Sequence, residues 1–577
     1  MPDTPDRADR NGSSGNLRPV GGLEWILDAC GVTRSGNAIP VLIHPDANSM
    51  ESTGIRVVLI GGLSGRPADV SVARVTAETL PRMAREARVN LVLSVIPVGD
   101  PDGLNGEDDV ATETGLGPAH GYPPETGFFD HPENPEARYL WRWISFAAPD
   151  VVIEVQDGQP TGWQVNPVAA RLGRMLNAGV VLPEDSLIAA LGRDEPSGLA
   201  PIPGLRLTTG TEALAGELER LVQAIGAWTP RSPARQALDA RRGRSPLEVA
   251  RLLGRTYGYA LDPVIYTQGV AISGRLRLSE LESEAGWGEP DSTATDIAAL
   301  VEEYVGGQKP AFDGQPGGQH LAALVWCDEL SAATDDPRYT ALLIDAADRY
   351  HTGGLGVPPP PSDNNFRTED MFFTSAVLGR AFAVSGEAKY IEMAARFLSD
   401  ADTQKPDGLF MHCQGADWNW GRSNGFAAMG FSELLSYMPP DHKLRTELLN
   451  SHIRHLEALL PSQQRDGTWL QVLDYPGSYH EMSATCMIGY ALARGIRCGW
   501  LDNRFREPLE RAWYAAAERI DTEGGLVDVC TGTGVQTSTR EYLDRPAEFG
   551  FDHRGGSMAL WFAVEVERLS RKDAVQS

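Results

Sequence analysis

The chain of 577 residues contains no run of about 18 consecutive apolar residues, the length a helix needs to cross a bilayer. No transmembrane helix and no membrane partner are therefore expected. The opening stretch, MPDTPDRADRNGSSGN, lacks the apolar segment of a secretory leader, so no such leader is expected either. Cysteine is scarce. Cys30, Cys327, Cys413, Cys486, Cys498 and Cys530 are scattered, with no CxxC pair and no metal-ligand spacing. Free thiols in a reducing cytoplasm follow from that pattern. Basic charge is also short: 51 Lys and Arg stand against 78 Asp and Glu, a formal net charge of -27. A nucleic-acid partner needs a basic face, so that class is excluded. A small anionic ligand is not, because a few arginines can reverse the field inside a cleft.

What is present divides the chain in two. Residues 1–18 are polar and rich in turn formers, and read as a disordered tail. From 19 to 228 the rhythm is α/β. VVLIGGL (57–63), VNLVLSVIPV (89–98) and DVVIEV (150–155) are apolar runs suited to buried parallel strands. Helical stretches lie between and after them, so a sheet covered on both faces is expected. TPRSPARQALDARRGRSP (229–246) breaks the rhythm and is assigned as a linker. From 247 to 577 the pattern is helical only. Amphipathic stretches such as PLEVARLLGRTYGYAL, PRYTALLIDAADRYH and PLERAWYAAAERI recur, and the helical hairpins they form repeat roughly every 50–60 residues. Such hairpins close as an (α/α)6 toroid, with loops gathered round a central cavity.

Asp370, in FRTEDMFFTSAVLGRAF (366–382), precedes an apolar helical run. An aspartate there serves either as a helix N-cap or as a chemical group. Ordered motifs bear on the choice: IYTQGVAISG (265–274), FDGQPGGQHLAAL (312–324), FRTEDMFFTS (366–375), DGLFMHC (407–413), WNWGRSNGF (418–426), RDGTWLQVLD (465–474), EMSATCMIGYALARGIRCGWLD (481–502) and GLVDVCTGTG (525–534). The series resembles the unsaturated uronyl hydrolases of glycoside hydrolase families 88 and 105, the latter (unsaturated rhamnogalacturonyl hydrolases) being closer.

The resemblance implies an (α/α)6 barrel that removes a terminal 4,5-unsaturated uronic acid from lyase-generated oligosaccharides. The implied chemistry is hydration of a vinyl ether. An acid protonates C4, water adds at C5, and the hemiketal opens and expels the aglycone. No metal or redox cofactor is implied. Asp370 matches the catalytic aspartate, and such an acid needs a raised pKa. Asp313 matches the second carboxylate, although Pro316 and the extra glycines depart from the family's pattern and an Asp-Gly turn is the plain alternative. His412 and Arg422 match substrate-binding positions. Trp418 and Trp420 suit a sugar-facing wall, and Tyr266 and Gln268 match the family's Tyr-x-Gln-Gly stretch. Ser483, Thr485, Thr531 and Thr533 are secondary, because loop hydroxyls commonly satisfy backbone. The implied partner is an acidic oligosaccharide; a monomer and a homodimer both fit.

The first part resembles something else. GGLSGRPAD (61–69), SVIPVGDPDG (94–103), PENPEARYLWRWI (132–144) and DVVIEVQDG (150–158) occur in the order seen in zinc carboxypeptidases. Ser64, Pro67 and Gln156 stand where that family has its ligands, so a degenerate, metal-free domain is expected. The remaining polar residues there, His131, Glu133, Glu136, Glu154 and Asp157, read as surface or turn residues. Two other readings of the whole chain stay open: an exo-glucuronidase acting on saturated uronides, which would need two carboxylates across the anomeric bond, and a non-catalytic carbohydrate-binding scaffold.

Overall fold

The structure, a computed structural model, describes residues 25–576 apart from 106–116, 125–133, 180–181, 194–197, 229, 285–289, 313 and 355. The tail expected over 1–18 lies outside the described residues. The chain divides into two compact units, with the change at Ala240/Arg241 and the short segment Pro476–Ser478 assigned to the first.

The first unit runs β1 (Ile26–Val32), β2 (Ala38–Ile43), β3 (Ile55–Ile60), α1 (Pro67–Glu86), β4 (Leu91–Ile96), α2 (Pro101–Asn105), α3 (Pro135–Ala147), β5 (Val151–Gln156), β6 (Gly162–Val165), α4 (Ala170–Leu176), α5 (Leu187–Leu191), β7 (Gly204–Thr208), α6 (Thr211–Ala227) and α7 (Pro233–Arg242). The strands form one mixed sheet in the order β1-β2-β4-β3-β5-β7-β6. Its centre is parallel, with β3 paired to β4 and β5, and β5 to β7. Val57 and Leu59 of β3 join a core with Leu80 of α1 and Leu218 of α6. Their alternates, Val58 and Ile60, are buried too. Side chains of a strand alternate between faces, so both faces are covered, as the apolar runs implied.

The stretch 229–246, assigned as a linker, includes the change between the two units. It contains helix α7, anchored where Arg235 donates to Asp150 at 2.5 Å with both side chains buried. Pro233 at the helix start and the arginines in its last turn suit a helix, which the bare Pro/Arg content concealed.

The second unit is helical: α8 (Pro246–Thr256), α9 (Tyr266–Glu284), α10 (Pro290–Val305), α11 (Gly318–Leu321), α12 (Cys327–Thr334), α13 (Pro337–Asp348), α14 (Thr368–Ser385), α15 (Ala388–Asp400), α16 (Gly421–Tyr437), α17 (Arg445–Leu459), α18 (Met482–Arg497), α19 (Arg506–Glu518), α20 (Thr539–Leu543) and α21 (His553–Gln576). Short strand pairs interrupt the loops: β8 (Trp469–Leu470) with β9 (His480–Glu481), and β10 (Leu526–Cys530) with β11 (Ala547–Gly550). An inner ring closes on itself. α9 packs on the α11–α12 segment, that on α14, and then α16, α18 and α21 follow, with α21 returning to α9. α10, α13, α15, α17 and α19 each pack outside an inner member, and α8 backs α21. This is the (α/α)6 arrangement. α14 and α16 approach closely because Gly430 has no Cβ; one there would stand 2.6 Å from the Met371 backbone.

Candidate active site

Asp370 does not cap its helix. The N-cap of α14 is Arg367, whose side chain makes no capping bond, and Asp370 lies in the first turn. Its Oδ2 accepts a hydrogen bond from the amide of Asp363, in the preceding loop, at 2.8 Å. Its Oδ1 lies over Gly318, where a Cβ would stand only 2.6 Å away. The carboxyl group is thus held by the loop before α14 against the start of α11, and faces a cavity of about 630 Å³. That volume lies within the range of a small-molecule or sugar site.

The electrostatics separate two adjacent carboxyl groups. Burial pushes Asp370 up to about 7, and the charge of Glu369 adds to the rise against the opposing Asp363 amide and Arg367. Burial acts on Glu369 in the same direction, but His412 and Arg367 outweigh it and hold Glu369 at about 2. Glu369 accepts from Arg367 at 2.9 Å and lies 3.1 Å from Nε2 of His412. One carboxyl is therefore held ionised while its neighbour stays protonated towards neutrality, the division of roles that acid–base chemistry requires.

Six residues singled out in the sequence line this cavity together: Asp370, Tyr266, Gln268, Trp420, Arg422 and the secondary candidate Thr533. Tyr266 packs on Phe373 and Phe426, with ring centroids at 4.9 and 5.8 Å, and burial raises its phenol to about 12. The side-chain carbonyl of Gln268 is buried and has no hydrogen-bond partner among the described residues. Arg422 is 2% exposed. Its guanidinium lies over Trp420 at 4.8 Å and donates to the carbonyls of Cys530 and of Thr531, the latter at 2.6 Å. It therefore holds the end of β10 while presenting an edge to the cavity.

Two expected substrate contacts lie outside the lining of this cavity. His412 is fully buried behind Glu369, with Nδ1 2.5 Å from the Tyr542 hydroxyl, so both ring nitrogens are engaged and it sits outside the cavity lining. Trp418 is half-buried, with its ring 6.4 Å from Tyr542, and also lies outside the lining. Asp313 falls outside the described residues. Thr533 lines the cavity. Ser483 donates to Glu481, the N-cap of α18, and Thr485 donates to the Glu481 carbonyl.

The sequence reading missed Glu369, Arg367 and Asp363, all beside Asp370, and the segment Phe551–Arg554 at the start of α21, which also lines the cavity. FDHRGG before an apolar helix was the signal for the latter. Phe551, 69% exposed, offers a bare ring at the rim. Arg554 pairs with Asp552 at 2.7 Å. No cluster of three or more His, Cys, Asp or Glu among the described residues is arranged to hold a metal.

In the first unit, Ser64 donates to Asp69, which also accepts from Arg66 at 2.9 Å and from the amide of Asp157 at 2.7 Å. Pro67 opens α1, and Gln156 donates to Thr208 at 2.6 Å. That donor set does not fit zinc. Glu136 and Glu154 are not surface residues. Both are buried, Glu136 accepting the Arg34 amide at 2.7 Å and Glu154 pairing with Arg206 at 2.9 Å. His131 and Glu133 lie outside the described residues.

The matches to known proteins fall on the second unit. The sequence profile of Glycosyl Hydrolase Family 88 matches residues 266–570. An unsaturated rhamnogalacturonyl hydrolase, YesR, of Bacillus subtilis is 28% identical over 153 residues, 26% of this chain and 42% of that protein. An unsaturated 3S-rhamnoglycuronyl hydrolase of Formosa agariphila is 35% identical over 108 residues, 18% of this chain and 29% of that protein. The chain thus spans less than half the length of either relative. A family 105 glycoside hydrolase structure from C. acetobutylicum superposes with a TM-score of 0.49 at 18% identity, covering 55% of this chain and 99% of that one.

Proposed function

The chain belongs to glycosyl hydrolase family 88, and from that premise we propose that its toroid removes a terminal 4,5-unsaturated uronic acid from acidic oligosaccharides by hydrating the vinyl ether. The observation that carries this reading is the placement of Asp370, a buried carboxyl facing the cavity beside the His412- and Arg367-bonded Glu369, where burial pushes it up to about 7.

The chemistry follows from that pair. Asp370 gives its proton to C4 of the unsaturated ring. Water adds at C5 and returns a proton to the Asp370 carboxylate. The hemiketal opens, the glycosidic bond breaks, and the aglycone leaves with its oxygen protonated. The Asp363 amide and the bare surface of Gly318 keep the carboxyl aimed. Tyr266 and Trp420 supply the aromatic wall, Gln268 offers a free acceptor to a sugar hydroxyl, and Arg422 and Arg367 supply positive charge for the uronate. Asp313 stays a proposed second carboxylate on the strength of the resemblance alone.

The test is the loss of the ultraviolet absorbance of the conjugated uronate. Lyase-generated pectin, glycosaminoglycan and ulvan oligosaccharides are incubated with the full chain. Loss with one class identifies the substrate; no loss with any sinks the proposal.

The first unit is proposed to be a carboxypeptidase-like domain without its metal. The parallel β3 and β5, ending near Ser64 and at Gln156, support the first half of that statement, and the Ser64–Asp69–Arg66 network supports the second. Zinc retained stoichiometrically by residues 1–240 of the intact chain would refute it. The six unpaired thiols, five of them buried, support a reducing compartment such as the cytoplasm.

A further inference from the structure

A second cavity, of about 540 Å³, opens in the toroid between α8, α9 and the loop joining them. It shares no lining residue with the catalytic cavity. Its wall carries Arg251, Arg255, Arg275, Tyr259, Ser279 and Glu282. Three guanidinium groups thus face one carboxylate, in a chain whose net charge is -27.

The three arginines are not equivalent. Arg251 is matched by Glu282 at 2.7 Å. Arg255 is exposed and has no hydrogen bond or ion pair among the described residues. Arg275 is 7% exposed; it donates to the Gly258 carbonyl at 2.8 Å and lies over the Tyr259 ring at 3.9 Å. No carboxylate among the described residues pairs with it. Arg277, Arg380, Arg494 and Arg519, also buried in the toroid, each hold at least one carboxylate. A buried cation is normally paired, because its lost hydration must be replaced. Burial indeed pulls Arg275 below the ordinary arginine value.

Tyr259 gives the cavity a second character. Tyr259 is 54% exposed although one face of its ring carries the Arg275 guanidinium. The other face is a flat apolar platform, suited to the C–H face of a pyranose. An oxyanion alone would need neither the platform nor this volume. Planar guanidinium forks suit carboxylates. We propose that this cavity is a second, non-catalytic binding site for a uronate-bearing saccharide, with Arg275 and Arg255 gripping the carboxylate and Tyr259 stacking on the ring. The inference uses no residue of the catalytic cavity and stands or falls apart from the reaction.

The test is calorimetric titration of the full chain with saturated tetragalacturonate, which has no vinyl ether to hydrate. Maltotetraose serves as the neutral control and inorganic phosphate as the small-oxyanion control. Arg255→Glu and Tyr259→Ala alter exposed side chains. Each is expected to weaken one class of tetragalacturonate site at least tenfold, with hydration of an unsaturated disaccharide unchanged. Maltotetraose should not bind that site. A wild-type tetragalacturonate isotherm reproduced by both variants overturns the proposal. So does phosphate binding as tight as the saccharide's that is lost in Arg255→Glu but kept in Tyr259→Ala, which would make the site one for small oxyanions.

Discussion

The main-chain amide of Asp363 donates to Oδ2 of Asp370 at 2.8 Å, across the turn that leads into α14. This bond favours the ionised carboxyl, yet burial and the charge of Glu369 outweigh it and leave Asp370 at about 7. The group is therefore aimed by a bond that does not silence it as an acid.

A raised pKa costs stability once the group must ionise. Between its ordinary 3.8 and the folded value of about 7, the folded state binds the extra proton, so stability falls as pH rises through that window. The cost at pH 8 is about 4 kcal/mol. Asp370→Asn removes it while its amide oxygen still accepts from Asp363. The variant should melt higher than wild type at pH 8, with the gain vanishing near pH 4. Thermal melts at both pH values check this.

Glu369 behaves in the opposite sense. Its folded value of about 2 lies below the ordinary 4.5, so it contributes stability at neutral pH that is lost as pH falls towards 2. Glu369→Gln should therefore melt lower than wild type at pH 7, by a margin that shrinks in acid. It also removes a charge that raises Asp370. The alkaline limb of the kcat/KM profile, expected near pH 7 in wild type, should move to lower pH in this variant. An unmoved limb would show that Glu369 does not set the acid.

Gly318→Ala would place a methyl group 2.6 Å from Oδ1 of Asp370. The carboxyl, not the backbone, would give way. A drop in kcat of about 10- to 100-fold is expected, with the melting temperature little changed. Steady-state kinetics beside a melt distinguish this from general destabilisation.

Arg422→Met would leave the carbonyl of Cys530 without its Arg422 donor, while that of Thr531 keeps the Thr533 hydroxyl at 2.9 Å. A stability loss of about 1–3 kcal/mol, for the one orphaned carbonyl, is expected, measured by denaturant unfolding. A raised KM with unchanged stability would instead make Arg422 a substrate contact only.

Legibility in the sequence followed burial geometry. The outer helices α8, α13 and α19 showed an apolar stripe because only one face of each is covered. The inner helices α9 and α21 escaped detection. α9 is buried nearly all round, with Arg275, Arg277 and Ser273 among its buried residues, so no stripe forms. The same geometry explains the site. Asp370, Tyr266, Gln268, Trp420 and Arg422 belong to recognisable loop motifs and do meet in one cavity. His412 belongs to such a motif as well, but only the fold shows that Glu369 stands in front of it. Glu369 was hidden by its neighbour, since nothing in the string FRTEDMFF says which of two carboxyl groups is paired. Strands β6 and β7 are short and carry Gln164 and Arg206, β1 carries Asp28, and β2 is interrupted by Pro40, so the apolar-run criterion passed over them.

The central claim is that Asp370 delivers the proton. The most direct measurement is single-turnover loss of unsaturated-uronate absorbance by wild type and Asp370→Asn near pH 6, on a substrate that wild type consumes. The account predicts a rate lower by about 100- to 10,000-fold in the variant, with substrate still bound. A variant that turns over at the wild-type rate would contradict it and move the acid elsewhere in the cavity.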